Sequence, residues 1–578
     1  MIKKIKNLKK IELILVISLI CLFFIKQSNI LDYGLPFFQQ EDEGAFLKST
    51  ISFVSFLSGI KSELLDPFFG SLINLLLTLK LLFINELLIN SLSLSEIKQK
   101  IYNDPSILII YGRFNSLIVT TLCFFLLHLI FKKLKINFLV YFPLLVSLSL
   151  SLFTSTISLV NGKNSFYLFF FLLQLYFLIK YYFQIDKFNK YTYSLFSILA
   201  SLSWGINYWC SIVSFYGILV LHLKKFKFKN YHYLSYFLLG FIILGLFPSL
   251  FFEDYFFLNF FSRGGETESF IIIQFLEKLF TKFLFSFEII LNTEIFMVIY
   301  FSLFIFYIFK NLENKKIIIL LTILIFEPIL IFGIAGDEVV PELRYLSGLI
   351  CLMYILSALM VKDLSNYYKS KFIIPIFILL NIAIIIDKTV NYVNLNNVIS
   401  QNHSFINFFE KNKNINQDTL YLVPSLDTRK NLNNLDLYKN LHEKKIITNK
   451  LFKKDNYQSI LKKIDLEKKS NEELKNKKII DLNVMNINLF DIQNYKIFFE
   501  EIEKKYKYVT IQENDEKFNN LFNYVKSNYH KVDQTFDQKD LNYNNGLRDI
   551  FKFLYKGGSA KKLDNFILGN NYSLYKLN

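Results

Sequence analysis

The sequence predicts a mainly α-helical, polytopic membrane protein that ends in a small α/β domain. Of its 578 residues, 53% are hydrophobic and 18% are aromatic, which is more than the core of one globular domain can hide. A spanning helix needs about 20 apolar residues to cross ~30 Å of hydrocarbon, and this window fits about eleven stretches of the chain. From residue 390 onward, short apolar runs alternate with amphipathic ones in a polar background, as in soluble α/β domains.

The first predicted span follows a lysine-rich N-terminus. The segment "MIKKIKNLKK" precedes an apolar run with no small-residue cleavage site after it, so the run is expected to be a retained helix rather than a signal peptide. The predicted spans cover residues 12–29, 107–131, 137–157, 164–181, 191–207, 209–223, 233–252, 296–310, 316–334, 343–361 and 372–387.

Lysine and arginine are concentrated in alternate connections between these spans. Cationic segments resist translocation, so the N-terminus and these connections are expected in the cytoplasm of a cell with an inner (plasma) membrane. The loop at about 30–106 and the tail from 390 then lie on the outer, periplasmic side. Residues 1–389 form the predicted transmembrane domain and 390–578 the soluble domain. The net charge of +17 is thus partly a signal of membrane topology, and no nucleic-acid partner is expected.

The tail contains three strand-like segments, "TLYLVPS", "KIIDLNVMNINL" and "YKYVTIQ", and two amphipathic segments, "YKIFFEEIEKKY" and "NNLFNYVKSNY". It has no glycine-rich phosphate loop and no His/Cys cluster, so its expected role is substrate docking or structural support. The four cysteines all fall within predicted spans. They indicate neither a disulfide framework nor a metal motif.

Three consecutive acids, Glu41, Asp42 and Glu43, stand near the start of the first outer loop. Taken alone they would be solvated loop residues. Further along, "LLDPFFGSLINLLLTLKLLF" is apolar but interrupted by Asp66, Pro67 and Gly70. A re-entrant or surface helix explains this pattern better than an ordinary span does, and it would hold the acids close to the lipid headgroups.

Several short motifs follow one another along the predicted outer side. Asp42 and Glu43 form an acidic pair, "DPFF" follows at Asp66, and "YGRFNSL" places Arg113 at the head of the next span. Then come "GKNS", with Lys163, and "VPELRYLSG", which opens a late span.

This order, over residues 30–365, resembles the GT-C superfamily of polytopic glycosyltransferases, and within it the branch of the protein O-mannosyltransferases and the lipid A aminoarabinose transferase. The family's acidic pair matches Asp42 and Glu43, its arginine matches Arg113, and its late Glu-Arg-Tyr element matches Arg344 and Tyr345. The resemblance implies transfer of a sugar from a polyprenyl-phosphate-linked donor, among membrane lipids, to a glycan, lipid or protein acceptor.

Each matched residue then has an expected role. Asp42 would be the general base for the acceptor, and Glu43 would orient the acceptor, steer a cation or, with Asp42, hold a divalent cation. The leaving phosphate needs cations, for which guanidinium groups are well suited. The residues expected at the lipid phosphate are Arg113, Lys163, Arg344 and Tyr345. Arg263 and Glu342 could contact a substrate.

Each cation also has a simpler interpretation. Arg113 and Arg344 stand at the outer ends of spans, where an arginine can simply extend to the interface. Lys163 and Arg263 fit solvated loops, and Glu342 could form a structural ion pair with Arg344.

The chain also departs from the family pattern. Lys48 is the nearest cation after the acids where aminoarabinose transferases have Arg-Tyr, Leu65 replaces a lysine, and Asn164 replaces an acid. The Trp-Trp-Asp motif of oligosaccharyltransferases is missing from the sequence. The sugar and the acceptor therefore stay open.

Two other classes of protein remain as alternatives. A transporter of lipid-linked sugars should have charged or broken spans and related halves, whereas the spans predicted here are mostly uninterrupted. A surface polysaccharide polymerase or ligase would use arginine and histidine in outer loops, and none of the six histidines falls in a clear membrane-facing outer loop.

Overall fold

The computed structural model describes parts of the apolar helical region and parts of the C-terminal region. The described residues are 2–31, 72–93, 96–97, 107–160, 164–204, 206, 211–246, single positions from 280 to 294, 346–367, 372–389, 419–423, 479–481, 492–504, 506–512, 519–534 and 572–577.

The described part of the chain is mostly helical, which confirms the predicted fold class at this level. The helices of the apolar region are α1 (Ile2–Ser28), α2 (Leu72–Phe83), α3 (Ile107–Lys133), α4 (Phe138–Ser149), α5 (Leu152–Leu159), α6 (Asn164–Phe183), α7 (Lys190–Trp204), α8 (Ile212–Phe226), α9 (His232–Phe241), α10 (Ser347–Tyr367) and α11 (373–389). Helix α2 continues as a π-helix over Ile84–Ile89, and α9 continues as one over Ile242–Leu246.

Among the residues that the structure describes, four helices are long and apolar enough to cross a membrane: Lys10–Ser28, Ile107–Lys133, Asn164–Phe183 and Ser347–Asn366. The pair α4 and α5 would make a fifth span, although it bends by 55°. Shorter helices occupy the stretches predicted at 191–207, 209–223 and 233–252. The stretches predicted at 296–310 and 316–334 lie outside the described residues.

Many large apolar side chains of these helices are exposed. Leu22 of α1, Leu239 of α9 and Leu379 of α11 are each more than half exposed. Such a surface would favour aggregation in water and suits contact with lipid.

A groove of about 410 Å³ between α8 and α9 is also lined by apolar and aromatic side chains, including Phe215 and Phe237.

The lysine-rich connections contact one another. Lys362 Nζ, near the end of α10, donates to the carbonyl of Leu134, which lies between α3 and α4 (2.8 Å). Lys132 lies 3.9 Å from Glu12 of α1. The end of α3, the start of α4 and the end of α10 therefore share one end of the bundle.

Helix α3 occupies a central position, packed against α1, α2, α5 and α6. Arg113, in its second turn, contacts the chain just beyond α1. We call this end of the bundle the Arg113 end; it is the end predicted to face outward.

In the C-terminal region a five-stranded mixed sheet has the order β2-β1-β3-β5-β4. Its strands are β1 (Thr419–Val423), β2 (Ile479–Asp481), β3 (Tyr508–Gln512), β4 (His530–Gln534) and β5 (Tyr572–Lys576). Strand β1 pairs in parallel with β2 and β3, and β5 is antiparallel to β3 and β4. Helices α12 (Ile492–Glu503) and α13 (Asn519–Asn528) bury Phe499 and Val525 in the same core as Leu422 and Val509.

Candidate functional site

The structure describes only one of the site residues predicted from the sequence. Asp42, Glu43, Lys163, Arg263, Glu342, Arg344 and Tyr345 lie outside the described residues. Arg113 is described, and the side chains and backbone groups around it form the described part of the candidate site.

Arg113, in the second turn of α3, is buried within the bundle and does not extend to the membrane surface. Its side chain has 0% exposure, and Nη1 donates to the carbonyl oxygen of Leu31 (2.8 Å). A buried guanidinium is retained only with hydrogen-bond partners, and the chain end after α1 supplies one. The simpler interpretation was an arginine that extends to the membrane–water interface, and the buried position of this side chain does not fit it. Instead Arg113 holds Leu31, the residue at which the predicted outer loop begins.

A second buried polar group contacts α3 two residues earlier. The Glu86 carboxylate, 1% exposed, lies in the π-helical continuation of α2 and accepts a hydrogen bond from Tyr111 Oη (2.8 Å). The side-chain amides of Asn85 and Asn90 also donate, to Tyr111 Oη (2.6 Å) and to Glu86 Oε2 (3.1 Å) respectively. π-Helical segments are often found at functional sites.

Together these contacts hold two points of the first predicted outer loop on one helix. Arg113 holds the chain at Leu31, where the loop begins, and Tyr111 holds Glu86 on the returning segment. Asp42 and Glu43 stand in sequence between these two points. Further along, Ser93 and Glu96 form a capping box, and hydrogen bonds from the hydroxyl and the amide of Ser93 to the Glu96 carboxylate lower the pKa of Glu96.

We expect Tyr111→Phe to destabilise the protein by about 1–3 kcal/mol, because the buried Glu86 carboxylate loses a hydroxyl donor. The melting temperature of the full chain in detergent measures this effect. Tyr231→Phe is the matched control, since Tyr231 is 65% exposed. Equal melting temperatures for the two variants would show that the Tyr111–Glu86 contact contributes nothing.

A separate polar cluster lies inside the bundle. Lys388 of α11 forms an ion pair with Glu294 (2.5 Å), and the exposure of the two side chains is only 8% and 1%. Tyr354 of α10 donates to Glu294 Oε2 (3.0 Å) and accepts from Lys388 Nζ (2.7 Å). Ser151 donates to the other carboxylate oxygen of Glu294. We call these four residues the ion-pair cluster.

The ion-pair cluster lies at the bend between α4 and α5. Ser151 is the N-cap of α5, where its hydroxyl also accepts from the amide of Phe153 (3.3 Å). On the α4 side, Ser147 Oγ lies 3.4 Å from Tyr354 Oη. The cluster thus contacts both arms of the broken helix. Contrary to the expectation of mostly uninterrupted spans, the stretch at 137–157 is bent and polar groups surround its break.

The ion-pair cluster was not predicted from the sequence. Its signal was a charged residue directly beside an apolar stretch: Lys388 follows the predicted span 372–387, and Glu294 precedes the span 296–310. In the part of the chain that the structure describes, no group of three or more His, Cys, Asp or Glu side chains could hold a metal ion.

The sheet of the C-terminal domain has its own candidate position for a ligand. Because β1 lies between β2 and β3, the strand order reverses there, and ligands of such sheets bind beyond the carboxyl ends of the strands. The segments after Val423 and Gln512 lie outside the described residues. Elsewhere in this domain, burial and a hydrogen bond to Glu503 raise the pKa of Tyr529.

No family model matches the chain, and no significant match to it was found among curated proteins or solved structures. Its function therefore has to be argued from its own residues.

Proposed function

We propose that the protein is a membrane glycosyltransferase that moves a sugar from a polyprenyl-phosphate-linked donor to an acceptor on the outer face of the membrane. The acceptor is a glycan, a lipid or a protein. The proposal includes about eleven spans, a cytoplasmic N-terminus and an outer C-terminal domain in the inner (plasma) membrane.

The proposed step is a substitution at the anomeric carbon of the donor sugar. An acceptor hydroxyl or amine attacks this carbon while Asp42 takes its proton. A new glycosidic bond forms, the bond between the anomeric carbon and the phosphate oxygen breaks, and its electron pair leaves with the polyprenyl phosphate. Arg113, Lys163, Arg344 and Tyr345 stabilise the negative charge on that phosphate. Glu43 orients the acceptor or shares a divalent cation with Asp42.

The observation that supports this proposal most is the anchoring of the acid-bearing loop by Arg113. The buried guanidinium donates to Leu31 at the very end of the bundle where the loop begins. Catalytic groups must be held by rigid elements to act on a bound substrate. A central, buried helix that holds two points of this loop meets that requirement.

Deletion of the gene is expected to remove one sugar residue from the envelope glycans, glycolipids or glycoproteins of the cell. Mass spectrometry of these fractions identifies both the sugar and the acceptor. Expression of the wild-type chain should restore the residue, and a chain with Asp42→Asn should not. Unchanged envelope glycosylation in the deletion strain would contradict the proposal.

Transport of a lipid-linked sugar is the second candidate, and one observation favours it. Transporters use broken helices and intramembrane charges near the middle of the bilayer, and this chain has a bent helix with a buried ion pair beside it. If the purified protein moves a fluorescent lipid-linked sugar from one leaflet of a vesicle membrane to the other, this result would favour transport over sugar transfer.

A further inference from the structure

We propose that Glu294 and Lys388 are positioning residues that set the geometry of the Arg113 end through the broken helix. The inference rests on the proposed function only for its effect on sugar transfer. Its structural part, that the ion-pair cluster controls the placement of the end of α1, stands on the contacts alone.

Helix lengths place the ion-pair cluster deep in the bundle. Lys388 is 15 residues from the start of α11, Tyr354 is 13 residues from the end of α10, and Ser151 is 13 residues from the start of α4. At 1.5 Å per residue, each lies about 20 Å from the lysine-rich end. In a hydrocarbon layer of ~30 Å this is about two thirds of the way across, where charges are costly.

The carboxylate of Glu294 accepts hydrogen bonds from three different elements. Ser151 donates from the bend, Tyr354 from α10 and Lys388 from α11. A buried pair satisfied in this way adds little net stability compared with an apolar pair of the same shape, but loss of one partner is costly. What such a pair supplies is a fixed arrangement of the elements that it joins.

A chain of contacts continues from the bend to the Arg113 end. Ser151 caps α5, and one turn later in α5 the hydroxyl of Ser155 accepts a hydrogen bond from Gln27 Nε2 (3.1 Å). Gln27 is fully buried in the last turn of α1. Its own carbonyl accepts from the amide of Ile30, immediately before Leu31, the residue held by Arg113. The orientation of α5 therefore determines where the end of α1 lies.

Cross-linking tests the structural part without any assay of activity. Phe24 of α1 and Phe114 of α3 contact each other, with ring centroids 5.7 Å apart. Phe24→Cys and Phe114→Cys, in a chain whose four native cysteines are replaced, should be joined by a short thiol-reactive cross-linker, because contact between the two rings brings the side chains close without the tighter backbone spacing that a disulfide needs. We expect Glu294→Gln and Gln27→Leu each to slow this reaction several-fold. Tyr191→Phe is the control and should leave the rate unchanged, because Tyr191 lies on α7 and is 72% exposed.

A double-mutant cycle on sugar transfer tests whether the two positions act through one path. If Glu294→Gln and Gln27→Leu each lower transfer about tenfold, the double variant should also lose about tenfold, whereas independent effects would give a loss of about 100-fold. If Glu294→Gln does not fold, Glu294→Gln with Lys388→Met removes both charges and is expected to fold.

The two readouts separate the inference from the proposed function. If the parent protein transfers no sugar, the proposed function fails and cross-linking alone decides the inference. Slower cross-linking in both the Glu294 and Gln27 variants supports the path. The inference would be overturned if the cross-linking rate were unchanged in folded Glu294→Gln, or if the double variant lost about 100-fold of its transfer activity. The ion pair would then have only a local structural role.

Discussion

Asp42→Asn is expected to lower sugar transfer by about 10² to 10⁴-fold, with donor binding largely unchanged. The substitution preserves the shape of the side chain and removes the basicity that accepts the acceptor's proton. The measurement is the rate of transfer per molecule of protein in membranes that contain equal amounts of the two chains. Binding of the donor is measured separately on the purified protein.

Glu41→Gln is the matched control for this prediction. Glu41 precedes the acidic pair by one residue, and we expect it to be solvated and dispensable. Near-normal transfer by Asp42→Asn would remove the general base from the mechanism and leave all three acids as ordinary loop residues. A large loss in Glu41→Gln would show instead that the wrong acids have been assigned.

Arg113→Lys is expected to lower transfer by about 10 to 100-fold although it keeps the positive charge. An ammonium group cannot reproduce the planar geometry with which the guanidinium donates to the carbonyl of Leu31, so the end of α1 should shift in this variant. Under the proposed function, a displaced cation would meet the donor phosphate less well both before and during bond cleavage, so we expect the KM for the donor to rise and kcat to fall.

Lys133→Met provides the comparison for Arg113, because it removes a cation from the opposite end of the same helix. Full transfer activity is expected for this variant. Wild-type kinetics for Arg113→Lys would show that any cation suffices at this position and that the contact with Leu31 is not required.

The helices of the bundle were predictable because a long run of apolar residues in the sequence is enough to indicate each of them. The runs around α1, α3, α6 and α10 are long and apolar, and their positions in the sequence alone identify them as candidate spans. In the tail, β1, β2 and β3 and the two helices overlap segments expected from their apolar periods, whereas β4 and β5 were not predicted.

The contacts that organise the candidate site could not be predicted in the same way. The bond from Arg113 to Leu31 joins residues 82 positions apart, and Glu294 and Lys388 are separated by 94. Hydropathy windows end where a charge begins, so both partners of the ion pair were assigned to the flanks of spans rather than to the interior. Only the packing of α10, α11 and the bend shows that their charges are buried.

The most direct test of the central claim uses the purified protein in vesicles that contain a polyprenyl-phosphate donor with a labelled sugar. The acceptor fraction from cell envelopes is added outside. The proposed function predicts that the label passes covalently to the acceptor, that free polyprenyl phosphate accumulates in equal amount, and that Asp42→Asn lowers both by about 10² to 10⁴-fold. Movement of intact labelled donor across the bilayer, without any labelled acceptor, would contradict glycosyl transfer and establish transport in its place.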